Sequence, residues 1–316
     1  MKARHGKLIA ALAIVVAGAI AAHRFNPVNW PPLAHDILHS FHGTGFALLA
    51  VIVWWLLQRR YPDSFNYLLA AGITMGIGIV SEAAQIPGPR DAQFNDLIVD
   101  GLGVFGALGL LAAFDPQARS QLTRPVQVIL PTIAGVALGI ACVPSVWFSY
   151  ALVQQHRAFP HLLTFEHAWE SAVYSQPERQ RPVLVESPAN WPGGGGTVAR
   201  SREAGRWGIF ISIKPAIDWN EYSRLSFVVA SAGEPIAMDI AVKDIRQKDV
   251  EKEQSRFYKA FQAGPEPRRI TVTFEEIARG ASNGPFDFSK IESIVLSAAK
   301  PGSGAEVLLD DFRLEP

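Results

Sequence analysis

Carboxylates and imidazoles occur in the first half of this chain where the surrounding sequence is strongly apolar. Glu82 and Gln85 are three residues apart, and Asp96 and Asp100 four apart, so each pair shares one helix face. The connection Ile86-Pro87-Gly88-Pro89-Arg90-Asp91-Ala92-Gln93-Phe94-Asn95 is short enough to bring those two faces together, and His35, Asp36, His39 and His42 precede another apolar stretch. In one reading the cluster binds a ligand through His35, His39, Glu82, Gln85, Arg90, Asp96 and Asp100. In a second it does chemistry, with Glu82, Asp96 or His39 as acid or base and Arg90 clamping a phosphate or carboxylate. A purely structural reading competes with both. Asp96 would cap a helix, Arg90 would pair with it, and Gly101, Gly103, Gly106 and Gly109 would permit close helix packing. Placing a charge at the centre of a membrane helix costs roughly 2.5–3.5 kcal/mol. Glu82 and Asp100 are each expected a turn inside such a helix, where no cap is needed.

The elements that must position these groups are apolar stretches at about 8–22, 43–58, 66–86, 97–114 and 126–148. A helix of ~20 residues crosses a ~30 Å hydrocarbon core, so the expected first domain, 1–148, is a bundle of about five transmembrane helices. The first stretch follows Lys2, Arg4 and Lys7 and ends in Ala19-Ile20-Ala21, so it fits a retained helix and also a cleaved signal peptide. With the N-terminus inside, the inner side collects Lys2, Arg4, Lys7, Arg59, Arg60, Arg119 and Arg124, against Arg24 and Arg90 outside. That bias sets a cytoplasmic N-terminus in a bacterial inner membrane. An odd number of crossings then puts everything after about residue 150 outside the cytoplasm.

Composition agrees with a chain of two characters. Of its 316 residues 49% are hydrophobic and 18% charged, and 29 Lys+Arg balance 29 Asp+Glu. The zero net charge offers nothing to nucleic acid, and the apolar content excludes global disorder. Residues 1–150 hold only 9 basic and 7 acidic side chains, so the charge is concentrated in the second half. A single cysteine, Cys142, excludes a disulfide framework and a Cys-rich zinc site.

The motif Glu82-x-x-Gln85, then Pro89-Arg90, then Asp96-x-x-x-Asp100-Gly101 with Gly-spaced small residues, resembles the VanZ-like membrane proteins over about residues 30–115. Two positions depart from that family's pattern. Its asparagine is Asp100 here, and its aspartate four residues before a histidine is His35, ahead of His39. The resemblance implies a multi-span bacterial envelope protein linked through the founding member to glycopeptide-antibiotic resistance, without an established reaction.

Residues 149–162 read as a linker leaving the membrane. Beyond them the pattern is of short alternating runs punctuated by Gly193–Gly196, Ala232-Gly233-Glu234-Pro235, Gly264-Pro265 and Pro301-Gly302, the pattern of an all-β sandwich over 163–316. Expected strands are 183–187, 197–202, 207–213, 225–231, 236–244, 256–262, 269–274, 291–297 and 305–314, with a helical turn at Phe274–Ile277. No phosphate-binding loop, nucleophile elbow or metalloprotease motif occurs in this half. Glu275-Glu276 and Asp310-Asp311 are adjacent, and neighbouring strand side chains point to opposite faces, which argues against a two-carboxylate glycosidase site.

Phe165-Glu166, Trp207-Gly208, Asp218-Trp219-Asn220-Glu221-Tyr222, Phe286-Asp287-Phe288 and Leu308-Leu309-Asp310-Asp311-Phe312 resemble the framework of carbohydrate-binding jelly-roll modules. That resemblance implies a glycan ligand and a structural Ca²⁺, for which Glu166 with Asp310 or Asp311 would supply oxygens. Trp191, Trp219, Tyr222 and Tyr258 are the aromatic side chains that could carry a sugar ring, while Trp207 and Phe227 are expected in the core. The expectation is an α-helical transmembrane bundle followed by an all-β jelly-roll-like sandwich. It would meet membrane lipids and an envelope polysaccharide, peptidoglycan or lipid-linked precursor. A membrane-embedded enzyme and a protein-contact scaffold stand as alternatives.

Overall fold

The computed structural model describes residues 40–60, 64–83, 94–172, 174–175, 182–192, 196–201, 208–212, 217–244, 257–281, 285–298 and 306–316. The chain divides into two compact units, Met1–Phe148 and Ser149–Pro316. The expected helix at 8–22 lies outside the described residues.

The described part of the first unit is helical: α1 (His42–Arg60), α2 (Phe65–Ala83), α3 (Phe94–Phe114), the short α4 (Pro116–Ser120) and α5, which runs from Arg124 to Ala158. Asp115 starts α4 by accepting the backbone N–H of Gln117 and also takes the hydroxyl proton of Tyr67 at 2.9 Å, tying this turn to α2. Three stretches, Phe65–Ala83, Asn95–Phe114 and Arg124–Ala158, are long and apolar enough to cross a membrane. Much of their outward surface is apolar: Leu68, Phe105, Val128, Ile133, Val143 and Val146 are all exposed. The small-residue stripe of α3 does what its spacing suggests. A Cβ on Gly103 would fall 2.1 Å from the carbonyl oxygen of Gly43, and one on Gly106 would fall 2.6 Å from the backbone nitrogen of Leu138. Helices α1 and α5 therefore approach α3 at backbone contact.

The expected linker at 149–162 is corrected by the structure. Gln154, Gln155, Arg157 and Ala158 are good helix formers and no Gly or Pro interrupts this segment before Pro160, so α5 continues to Ala158. Strand β1 (His161–Leu163) then opens the sandwich at once.

The second unit is an antiparallel sandwich. After β1 come a 3₁₀ turn (Ala168–Ala172), β2 (Tyr174–Ser175), β3 (Val183–Glu186), β4 (Thr197–Arg200), β5 (Gly208–Ser212), β6 (Arg224–Ser231), β7 (Ile236–Asp244), β8 (Phe257–Ala263), β9 (Arg268–Thr273), helix α6 (Phe274–Gly280), β10 (Ile291–Ala298) and β11 (Val307–Glu315). One sheet runs β3-β4-β11-β6-β9 with β1 also on β11, and the other runs β2-β5-β10-β7-β8. Their inner faces share a core of Leu225, Phe227, Val229, Ile209, Ile211, Met238, Ile240, Ile294 and Leu296, all but completely buried. Helix α6 is fixed by a capping box in which Thr273 and Glu276 satisfy each other's backbone N–H groups.

A bulge in β11 decides which of its side chains enter that core. Asp310 pairs with Val228 and Arg313 with Ser226, so two residues, Asp311 and Phe312, face the single Phe227. Asp311 takes the extra place at φ +49°, a left-handed conformation that Asp tolerates. The slip lets Leu309, Phe312 and Leu314 all point inward, which strict alternation would forbid.

Candidate functional site

Two places on this fold bring polar groups together. In the first unit, the N-terminal end of α1, the C-terminal end of α2 and the first turns of α3 converge. His42 comes from α1, Glu82 from α2, and Asp96 and Asp100 from α3. One donor atom each from His42, Glu82 and Asp96 lie within 4.8 Å of one another. Asp100 is 1% exposed and places Oδ1 3.4 Å from His42 Nδ1. Gly78 of α2 lies beside this carboxylate: a Cβ there would meet Asp100 Oδ2 at ordinary contact, 3.7 Å, and Phe46 more tightly at 3.2 Å. The sequence reading thus assembles in part: Glu82, Asp96 and Asp100 meet as their spacing suggested. His35, His39, Gln85 and Arg90 lie outside the described residues. His42, counted among the flanking histidines but not among the site residues, is the imidazole that joins the group among the described residues. Its signal in the sequence was its place immediately before the apolar run of α1.

In the second unit the four aromatic candidates separate sharply. Trp219 is 0% exposed, stacked on Phe274 at 5.9 Å between ring centroids, and its backbone N–H bonds the carbonyl of Phe288. Trp191 is buried with Val198, Val228 and Ala230 and donates its indole N–H to Asp310. Tyr222 packs edge-on against Phe159 at 5.3 Å. These placements correct the expectation for Trp191 and Trp219, whose rings are consumed by packing and offer no sugar platform, and they leave Tyr222 half-buried. Tyr258 alone of the four is open, at 48% exposure.

Tyr258 stands on the outer face of the β2-β5-β10-β7-β8 sheet, and the register shows what surrounds it. Tyr258 pairs with Ala241, which pairs with Val295; Ala260 pairs with Asp239, which pairs with Ser297; Gln262 pairs with Ala237. The face is therefore a strip of small side chains with one aromatic ring at its edge and the polar groups of Asp239, Gln262 and Lys243 set among them. Asp239, Gln262 and Lys243 were not singled out in the sequence. Their signal was the alternation of β7 and β8, which places a charged or amide group at outward positions.

The expected calcium ligands also separate. Glu166 is close enough for its charge to act on Asp310. Burial, reinforced by the charges of Asp311 and Glu166, pushes Asp310 up to about 7, against the hydrogen bonds from Trp191 and from the Asp311 backbone. Glu166 Oε1 accepts the Thr197 N–H at 2.6 Å. Gly196, at φ +139°, makes that approach possible, because any Cβ would land 2.0 Å from the same oxygen. Asp311 is different: Arg269 and Arg313 pair with it and His161 Nδ1 is 3.7 Å away. Of the acids expected to hold Ca²⁺, Glu166 and Asp310 lie near one another, while Asp311 is engaged by Arg269 and Arg313.

No protein-family model matches the chain, and no curated protein matches it. Among solved structures, a family 11 carbohydrate-binding module of the cellulosomal cellulase Lic26A-Cel5E of Clostridium thermocellum is similar at 20% identity. It covers 49% of this chain and 92% of its own, with a TM-score of 0.34. The CBM22-1 xylan-binding domain of Paenibacillus barcinonensis Xyn10C is similar at 16% identity, covering 48% of this chain and 90% of its own, with a TM-score of 0.32. An exo-beta-agarase is similar at 15% identity over 49% of this chain, which spans 25% of the agarase, with a TM-score of 0.40.

Proposed function

We propose that this is a VanZ-like protein of the bacterial inner membrane whose sandwich, on the extracytoplasmic side, recognises a cell-envelope glycan or the sugar part of a lipid-linked precursor. The observation that carries the reading is the outer face of the β2-β5-β10-β7-β8 sheet. Tyr258 offers a ring to the apolar face of a sugar, the exposed small residues Ala237 and Ala260 let a chain lie against the strands, and Asp239, Gln262 and Lys243 are placed to bond hydroxyl groups. The membrane part of the reading is supported by the three long apolar helices and by the basic side chains clustered in the loops read as cytoplasmic. In this reading the protein binds and does not catalyse. A link to glycopeptide resistance would follow if the glycan is peptidoglycan or its precursor.

The test is binding of the full chain, in detergent, to immobilised peptidoglycan fragments and envelope polysaccharides. Saturable retention by one of them, competed by the free oligosaccharide, supports the proposal. Retention by none of them, from protein of native circular dichroism, moves the sandwich to a protein-contact role.

A further inference from the structure

The convergence of α1, α2 and α3 goes beyond glycan binding. We propose that His42, Glu82 and Asp96 form a divalent transition-metal site within the helical unit, with Asp100 as the positioning residue that orients the His42 imidazole.

The donor set is chemically selective. One imidazole nitrogen and two carboxylate oxygens suit Zn²⁺ or a similar first-row dication better than Mg²⁺ or Ca²⁺, which prefer oxygen alone. Three protein ligands leave a fourth position for water or a substrate oxygen, the arrangement of zinc sites that act on a ligand. The donor atoms lie within 4.8 Å of one another. A tetrahedral ion with bonds of about 2.1 Å holds its ligand atoms roughly 3.4 Å apart, so an ion would draw these donors together by up to about 1.4 Å.

Asp100 supplies the independent observation. Its side chain is 99% buried, its ion-pair partner among the described residues is His42 Nδ1 at 3.4 Å, and neither carboxylate oxygen makes a full hydrogen bond there. A buried carboxylate is costly unless positive charge compensates it. Its oxygen at 3.4 Å from Nδ1 leaves the other ring nitrogen, Nε2, as the ligand atom. This is the carboxylate–histidine–metal relay, in which the carboxylate fixes the tautomer and raises the basicity of the ring. The elements add to the effect: Asp96 lies in the first turn of α3, where the helix dipole favours an anion. Gly43, beside His42, cannot bear a Cβ without meeting Val99 at 2.7 Å, so the ring is delivered by a backbone held rigidly against α3.

The experiment uses the full chain in detergent, stripped with chelator, then titrated with Zn²⁺ and read by calorimetry and by metal content after gel filtration. One equivalent of Zn²⁺ is expected, with binding lost in Glu82→Gln and in Asp96→Asn. Asp100→Asn should keep the stoichiometry and the helical circular dichroism but weaken affinity about 10–100-fold, and Asp100→Glu should restore part of it. Co²⁺ loading of the unaltered protein gives a readout that needs no variant: visible ligand-field bands of a tetrahedral or five-coordinate site should appear and be displaced by Zn²⁺. Folded protein that takes up neither ion overturns the proposal. So does uptake that is unchanged in Glu82→Gln and Asp96→Asn, because the metal is then held elsewhere.

Discussion

Trp191 donates its indole N–H to Asp310 Oδ2 at 2.8 Å, and both residues are buried on the outer side of the β3-β4-β11-β6-β9 sheet. The bond crosses from the turn after β3 to the last strand and gives an otherwise apolar cluster of Trp191, Val198, Val228 and Ala230 a single polar anchor. The same bond opposes the upward push that burial gives Asp310.

This arrangement has a pH signature. Asp310 is held up to about 7, above its ordinary value near 3.8, so folding favours its protonated form. The stability contributed by this group is full below about pH 4 and is lost as pH rises through 7. In chelator, the tryptophan-fluorescence melting temperature of the sandwich should therefore fall between pH 5 and 8, and Asp310→Asn should flatten that slope. Ca²⁺ at ten times its dissociation constant adds about 1.4 kcal/mol, a rise of roughly 3–5 °C at pH 8. Glu166→Gln and Asp310→Asn should each abolish the rise, while Asp311→Asn should leave it. A rise that survives Glu166→Gln would remove this pair as the calcium site.

Gly103 makes the second prediction. A methyl group there would meet the Gly43 carbonyl oxygen at 2.1 Å, and backbone cannot yield as a side chain can. Gly103→Ala should cost about 1–3 kcal/mol or more, as overpacking does, and lower the yield of folded protein in detergent. Gly101→Ala should be nearly silent, since its Cβ would meet only the flexible end of Met75 at 3.6 Å. Equal behaviour of the two variants would mean that α1 and α3 do not cross this closely.

Trp219 makes the third. Its indole N–H has no acceptor among the described residues, and its ring is wholly enclosed against Phe274. Trp219→Ala should destabilise the sandwich by about 3–5 kcal/mol, whereas Trp219→Phe should cost far less. Glycan affinity measured on folded Trp219→Phe should equal that of the unaltered chain. Weakened binding by that variant would return Trp219 to the ligand surface.

Much of this architecture is legible in the residue order, for reasons that also explain what is not. All nine expected strands in the second half have counterparts, because most are β-branched or aromatic runs set off by Gly or Pro. Strand β7 spans 236–244 as expected, and the expected 225–231 is observed as Arg224–Ser231. Strands β1 and β2, three and two residues long, are too short to show a period and exist through pairing with β11 and β5. The bulge at Asp311 has no local signal beyond an Asp pair, since it arises from fitting Leu309 and Phe312 into one core. Trp219 misleads because it sits among Asp218, Asn220 and Glu221, which are turn formers, while its own ring is taken up by the aromatic cluster of Phe274 and Phe288. In the helical unit the spacing of Glu82, Asp96 and Asp100 points to a shared face, but the approach of His42 depends on how α1 crosses α3 at Gly43 and Gly103, which no local spacing shows.

The central claim is that glycan lies on the face that carries Tyr258, and the direct measurement is the affinity of Tyr258→Ala for the polysaccharide that retains the unaltered protein. Loss of one aromatic platform should weaken binding by about 1–1.5 kcal/mol, near tenfold. Asp239→Asn should weaken it further in combination, and the melting temperature should be unchanged because Tyr258 is exposed. Undiminished affinity in the Tyr258→Ala, Asp239→Asn double variant would place the ligand elsewhere and contradict the account.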